Sequence, residues 1–234
     1  MAVKRSTAEA LVRIAARALG KAGLAHAYGH CSQRLDDDSF LVCAARPMGL
    51  ITDADEGTVV PVDGPLPGGV LGEVGIHQSI YARRADIGGI CRTMPPNVMA
   101  LSTLGKTPRV RHGFGTYFAP GMPLWNDPQL VRSADAAAQV GELLGTGAAV
   151  VMRGNGLVTA GDDIRDAVVL NWYAEDAARV ELAVLSTGET GIEIDSANAR
   201  RRATKAGRIF ERMWEYLTHG DPELDSLQDS DYQD

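Results

Sequence analysis

Apolar side chains at Ala10, Leu11, Ile14, Ala15 and Leu19 recur at the three-and-four spacing of one helix face. The pattern predicts a first helix over residues 6–23. Ser6 with Glu9 three residues on fits a capping box, and Gly23 fits a stop. The period then shortens. HCSQRLDDDSFLVCAA reads as two short strands around an Asp-rich turn at 36–38. Glycine and proline dominate residues 46–72, which predicts loop with one strand near TVVPV.

Further on, GEVGIHQSIYARR gathers Val74, Ile76, His77, Ile80 and Tyr81 near one helical face. IGGIC is a short buried strand, and PNVMALSTLG is a helix opened by Pro95 and Pro96. RVRHGFGTYFAP alternates loosely and reads as strand rather than helix. SADAAAQVGELLG is a helix, and AAVVMRGNGLVTAG a hairpin turning at RGNG. A long helix with a broad apolar face follows at 164–187, then a final helix at 197–217 with Arg200, Arg201 and Arg202 at its start. No internal repeat is visible. Helices alternating with short strands predict an α/β or α+β chain, with helices covering a central sheet in one domain over 1–217. The acidic, polar stretch 218–234 is expected to be a disordered tail.

Composition narrows the function. A net charge of −7 argues against a nucleic-acid surface as the main task, and it helps to keep a concentrated oligomer in solution. No apolar run approaches the roughly 18 residues of a membrane helix, so neither a membrane nor a nucleic-acid partner is expected. The basic, amphipathic start admits a transit peptide, but a structural helix is the plainer reading. Cys31, Cys43 and Cys91 are odd in number and widely spaced. They suit a reducing, cytoplasmic setting and give no CxxC pair for thiolate zinc.

The order of short motifs carries a resemblance. Gly29-His30-Cys31-Ser32-Gln33-Arg34 follows the first helix; Glu73 precedes His77 by four residues; a strand ends in Arg92-Thr93-Met94-Pro95; a hairpin holds Gly154-Asn155-Gly156; and a long helix containing Glu and Asp-Ala-Ala covers 172–184. In this order and spacing the chain resembles the class II aldolase/adducin family over roughly residues 7–190. In that family the corresponding stretches are Gly-Asn-x-Ser-x-Arg, Glu with His four residues on, His-x-His-Pro, and Asn-His-Gly or Gly-His-Gly. The flavour is closer to members that decarboxylate aromatic acids than to sugar-phosphate aldolases. The phosphate-binding Thr-Pro-Ser-Gly loop is missing, and Ile51-Thr52-Asp53-Ala54-Asp55 stands near its place. The resemblance implies a three-layer fold with a mixed or antiparallel sheet, and a cyclic homotetramer with sites between subunits.

It also implies three histidines on a divalent metal, usually zinc, which stabilises the enolate formed when a carbon–carbon bond breaks. Here those places hold Arg92, Met94 and Asn155, and none of the five histidines falls on them. A guanidinium repels a cation, thioether is a weak ligand, and an amide binds first-row metals poorly. No metal or other cofactor is therefore expected. Arg92 offers instead a fixed charge and a fork of donors for a carboxylate or a developing enolate, with Asn155 adding a neutral donor. Glu73 is the acid/base candidate, against its reading as a favourable charge at a helix N-terminus. His30 suits proton transfer, against a turn histidine. His77 is either a partner of Glu73 or a core histidine.

Ser32 and Arg34 are candidates for a substrate's acidic group, Arg34 equally for a structural ion pair. His112 is a further candidate for the substrate, from a segment that in the family reaches a neighbouring subunit's site. Tyr117 is a proton-donor candidate, against an interface aromatic. Cys91 should point away from Arg92 by strand alternation and sit in the core. Two functions follow. One is a metal-independent lyase cleaving a carbon–carbon bond of a small carboxylate or hydroxy-carbonyl compound, by decarboxylation or retro-aldol cleavage. The other is an adducin-like binding or scaffold protein that has lost its metal site.

Overall fold

The computed structural model describes residues 3–224. Helix α1 (Arg5–Lys21) leads into β1 (His30–Arg34), β2 (Ser39–Val42) and β3 (Thr58–Pro61); α2 (Gly75–Arg83) precedes β4 (Gly89–Thr93) and α3 (Pro96–Thr103). Then come β5 (Leu124–Trp125), α4 (Ala134–Leu144), β6 (Ala149–Met152), β7 (Gly156–Gly161), α5 (Ile164–Ser186), α6 (Ser196–Arg202) and α7 (Ile209–Thr218). The strands form one sheet in the order β3-β2-β1-β4-β7-β6-β5, antiparallel except for the β5–β6 pair.

Strand alternation sorts the core into two layers. Leu41, Cys91, Val151 and Leu157 face α1, α5 and α7. Phe40, Ile90, Val150 and Val158 face α2 and α4. Each fully buried aliphatic of this kind contributes about 1.5–3 kcal/mol. The result is the three-layer α/β arrangement expected from the resemblance, and Cys91 lies on the α1 side. All three cysteines are free and buried.

Local chemistry explains the departures from the sequence reading. Lys4, not Ser6, is the N-cap of α1 and makes no side-chain cap. Glu9 instead turns inward to accept from Gly57 N at 2.9 Å. Residues 113–118 form 3₁₀ turns rather than a strand. Their backbone is closed by side chains, Thr116 Oγ1 donating to Gly113 O, and Phe114 stacks on Tyr173 of α5. The final helix is two helices, α6 and α7, separated by left-handed backbone at Gly207 (φ 70°) and Arg208 (φ 57°). The expected tail begins inside the fold. Asp221 accepts from Arg17 Nε at 2.7 Å and Glu223 from Arg13 Nη2 at 2.6 Å. The two carboxylates thereby fasten the chain after α7 to α1. The rest of the stretch, 225–234, lies outside the described residues. No described helix is long and apolar enough to cross a membrane.

Candidate active site

β4 is the central positioning element. It runs two residues beyond IGGIC, so Arg92 belongs to the sheet, directly opposite His30 on β1 and Val158 on β7. Residues opposed in an antiparallel pair share a face. Ile90 fixes that face as the one under α2 and α4. Arg92 therefore enters the layer between the sheet and α2 and α4, and it is only 2% exposed.

Two neighbours answer its charge. Nη2 donates to Asn155 Oδ1 at 2.7 Å and to Glu73 Oε1 at 3.2 Å. Glu73 comes from the turn that opens α2. Asn155 comes from the β6–β7 hairpin, whose Gly156 has φ 94° and lies so close to β4 that a Cβ there would sit 2.0 Å from Thr93 O. Glycine at 156 thus lets the hairpin press against the end of β4, which brings Asn155 to Arg92. Burial lowers the Arg92 pKa from its usual value, while the Glu73 carboxylate works to raise it.

Three buried polar atoms of this cluster have no partner among the described residues: Arg92 Nε, Asn155 Nδ2 and His30 Nε2. Two are donors, and buried donors are normally satisfied. They mark where an incoming acceptor would bind.

His30 leads to a second, continuous network. Its Nδ1 lies 2.9 Å from His77 Nε2; His77 Nδ1 lies 2.6 Å from Ser32 Oγ; and Ser32 Oγ lies 2.9 Å from Tyr81 OH. Tyr81 OH also reaches Ser32 O at 3.2 Å and Gly88 O at 3.4 Å. Burial, and then the positive charge of Arg92, push His77 down to about 3. Burial, then His77 and Arg92, hold His30 well below its usual value. Both rings are neutral at neutral pH.

The structure brings Glu73, His30, Arg92 and Asn155 into one neighbourhood, with Ser32 behind His30. It does not bring Arg34, Tyr117 or His112 there. Arg34 donates from Nε to the Ile87 carbonyl and from Nη2 to those of Tyr81 and Arg84, and stacks 4.6 Å over the Tyr81 ring. It ties the end of α2 to β1 and has no fork left for a substrate. Tyr117 donates to Thr204 O at 2.7 Å and packs on Tyr173 and Phe210. His112 caps the 113–118 turns by accepting from Phe114 N, with Nε2 3.6 Å from Asp176. Within one chain both Tyr117 and His112 belong to the α5 side.

His77 is buried behind His30, and Tyr81 joins it as a residue that motif order does not single out. A signal was present. Residues 30 and 32 share a strand face and 77 and 81 share a helix face, so a strand and a helix packed together align four polar groups.

At the place to which the sequence resemblance assigns the family's metal, the residues around Arg92 do not fit a divalent cation, because Arg92 brings a charge of the same sign and only donors. Among the described residues no group of three or more His, Cys, Asp or Glu side chains is arranged to hold a metal ion. A small cavity of about 20 Å³ adjoins His30, walled largely by Val42, Ala44, Val70, Leu71 and Val74. Larger hollows, of about 740, 720, 520 and 420 Å³, contain none of Glu73, Arg92 and Asn155.

A mixed sheet between two helical layers, with a glutamate, a β4-end residue and a hairpin residue converging on one point, is the arrangement that the sequence resemblance to class II aldolase-type proteins leads one to expect. The chain belongs to the class II aldolase and adducin family, whose N-terminal domain it matches over residues 10–182. It is 31% identical over 198 residues, 76% of this chain and 78% of the other, to 3,4-dihydroxyphthalate decarboxylase of Arthrobacter keyseri. Over 189 residues it is 26% identical to the protein of the same name from Rhodococcus jostii, covering 73% of this chain and 76% of that one. Among solved structures, L-fuculose 1-phosphate aldolase from Glaciozyma antarctica superposes with a TM-score of 0.77 at 22% identity, covering 99% and 93% of the two chains. An aldolase II superfamily protein from Pseudomonas syringae gives 0.75 at 20% identity, covering 98% and 95%. These structures share the fold.

Proposed function

We propose that this chain is a carbon–carbon lyase that decarboxylates a small, hydroxylated aromatic carboxylate, with the Arg92 guanidinium in place of the family's metal. The observation that carries the reading is the buried Arg92 with Nε unpartnered, beside an unpartnered Asn155 Nδ2. The ring carbon first takes a proton while a substrate phenolate supplies the electrons; carbon dioxide then leaves, and the electron pair of the broken bond restores the aromatic ring and returns negative charge to the phenolate oxygen. A preorganised guanidinium in a water-poor site stabilises such charge without reorganising. Asn155 Nδ2 adds a second donor. Glu73, salt-bridged to Arg92, takes the proton from a substrate hydroxyl group and passes it to the ring carbon, and solvent re-protonates the product phenolate. The names of the curated relatives support decarboxylation over retro-aldol cleavage.

The reading includes a cytoplasmic homo-oligomer. The free cysteines support a reducing compartment, and the tetramer rests on the family resemblance. Sedimentation of the purified protein checks the second point.

The test is metal content by elemental mass spectrometry of protein purified without a histidine tag, together with turnover of hydroxylated benzene carboxylates before and after chelation. Near-zero metal, chelator-insensitive turnover and its loss in Arg92→Ala are the expected results. About one bound metal per chain, or full turnover by Arg92→Ala, would overturn the Arg92 mechanism. A non-catalytic, adducin-like binding role is the second reading. It is favoured by how completely Arg92 fills its place and by the small space beside His30. Carboxylate binding without turnover of any such acid would establish it.

A further inference from the structure

The network behind His30 has a direction, and that direction decides what His30 offers to a ligand. Four groups, His30, His77, Ser32 and Tyr81, each carry one polar hydrogen when neutral. Two arrangements satisfy the chain of contacts and leave neither hydroxyl hydrogen unspent. In one, Tyr81 donates to Ser32 Oγ, Ser32 to His77 Nδ1, and His77 Nε2 to His30 Nδ1. The Tyr81–Ser32 carbonyl contact at 3.2 Å then holds no hydrogen, and His30 Nε2–H is a buried donor without an acceptor. In the other, Tyr81 donates to Ser32 O, Ser32 to Tyr81, His77 Nδ1 to Ser32, and His30 Nδ1 to His77 Nε2. Every contact from Tyr81 to His30 then holds a hydrogen, and the group left over is a lone pair. An orphaned buried N–H is the rarer and costlier exception.

We infer that Tyr81, Ser32 and His77 are positioning residues that hold His30 as its Nδ1–H tautomer, so that Nε2 presents a lone pair to a hydroxyl group of the ligand. The inference rests on the proposed carboxylate reading for its ligand, although the relay itself does not. Three further observations support it. His30 is 3% exposed, and Nε2 is without a partner. The adjoining cavity of about 20 Å³ is of the size of one hydroxyl group, and its largely apolar wall gives a water few other partners. Arg92, across the β1–β4 pair, is a cation that disfavours a proton on His30. The site would therefore read two features side by side: an anion at Arg92 and Asn155, and a hydroxyl donor at His30. Its ligand class is a hydroxy-substituted carboxylate rather than a plain one.

The experiment has two arms. Long-range nitrogen–proton correlation spectra of uniformly labelled protein assign the tautomer of each histidine without any ligand. His30 and His77 are expected as Nδ1–H forms. In Tyr81→Phe, which keeps the ring, Ser32 loses its acceptor and turns to His77 Nδ1. Both histidines should then switch to Nε2–H. In Ser32→Ala the His30 tautomer should lose its single definition. An Nε2–H His30 in the wild-type protein, or unchanged tautomers in a folded Tyr81→Phe, overturns the relay. The second arm compares binding of 2-hydroxybenzoate and benzoate by calorimetry. One hydrogen bond predicts a roughly five- to ten-fold preference for the hydroxylated acid. The preference should vanish in Tyr81→Phe while benzoate binding is retained. Equal binding by the wild-type protein overturns the hydroxyl-reading role. If neither acid binds, the carboxylate reading itself fails, while the spectra still decide the relay.

Discussion

Arg92 on β4 and Asn155 on the β6–β7 hairpin are joined at 2.7 Å by a buried hydrogen bond. The pair makes a neutral donor and a cation converge on one point, with Glu73 as the counter-charge. Buried ion pairs return little net stability, because desolvation offsets the attraction. Arg92→Met, which keeps volume but leaves Glu73 and Asn155 without their donor, is expected to lower unfolding free energy by ~3 kcal/mol, whereas replacing Glu73 as well should recover most of the loss. Carboxylate affinity should fall by about 100-fold or more. Denaturant melts and titration calorimetry separate the two. A variant that unfolds outright, or one that binds as the wild type does, would mean that Arg92 is a structural residue.

The His30–His77 pair links the site to acid stability. In the unfolded chain a histidine takes up a proton near its ordinary value of about 6.5. In the folded protein His77 does so only near 3, and His30 well below its ordinary value. The unfolded state therefore binds more protons below about pH 6.5, and folding is favoured above it. Stability should be full above that pH and fall as pH drops toward 3, with each histidine costing up to ~1.4 kcal/mol per pH unit. His77→Gln should flatten the decline between pH 6 and 4. A profile identical to that of the wild type would place the acid sensitivity elsewhere.

The sequence was legible where a single element carries its own signal. The α1 face, the 36–38 turn, the RGNG hairpin and the 164–187 helix each rest on local periodicity or turn chemistry, and the elements lie where that chemistry puts them. Legibility ends where an outcome depends on a partner far along the chain. The 113–118 segment looks like a loose strand, but its conformation is set by rings of α5. The break before α7 turns on the left-handed backbone at 207 and 208. At the site, Arg92 and Glu73 could be singled out by motif order. The roles of Arg34 and Tyr117 could not, because both are decided by carbonyls of distant segments.

Glu175 supports the site from outside. Its carboxylate accepts from Asn97 N at 2.9 Å, Asn97 Nδ2 at 2.7 Å and Val98 N at 3.0 Å, so a residue of α5 caps the start of α3. That start follows directly on β4 and Met94. Charge-assisted capping of this kind stabilises by about 1–2 kcal/mol. Glu175→Ala is expected to lower stability by this amount. It should also raise KM for a carboxylate more than it lowers kcat, since the end of β4 would lose its brace. Thermal unfolding and steady-state kinetics measure both, and unchanged values for each would remove α3 from the architecture of the site.

If Arg92, Met94 and Asn155 truly stand where the family's histidines stand, the metal site should be recoverable. Arg92→His, Met94→His and Asn155→His together would place three imidazoles around the point that Arg92 now fills, with Glu73 beside them. Asn155 is not in left-handed backbone, so histidine carries no conformational penalty there. Three imidazoles with one open position suit zinc. The triple variant is expected to hold about one zinc per chain. At a hundred-fold excess over its dissociation constant, zinc should add ~2.7 kcal/mol of stability. The double variant that keeps Arg92 should bind none, because the guanidinium remains at the centre of the site. Elemental analysis and zinc-dependent melting decide it. A folded triple variant without zinc would show that the positions do not correspond, and a zinc-binding double variant would show that Arg92 does not exclude the cation.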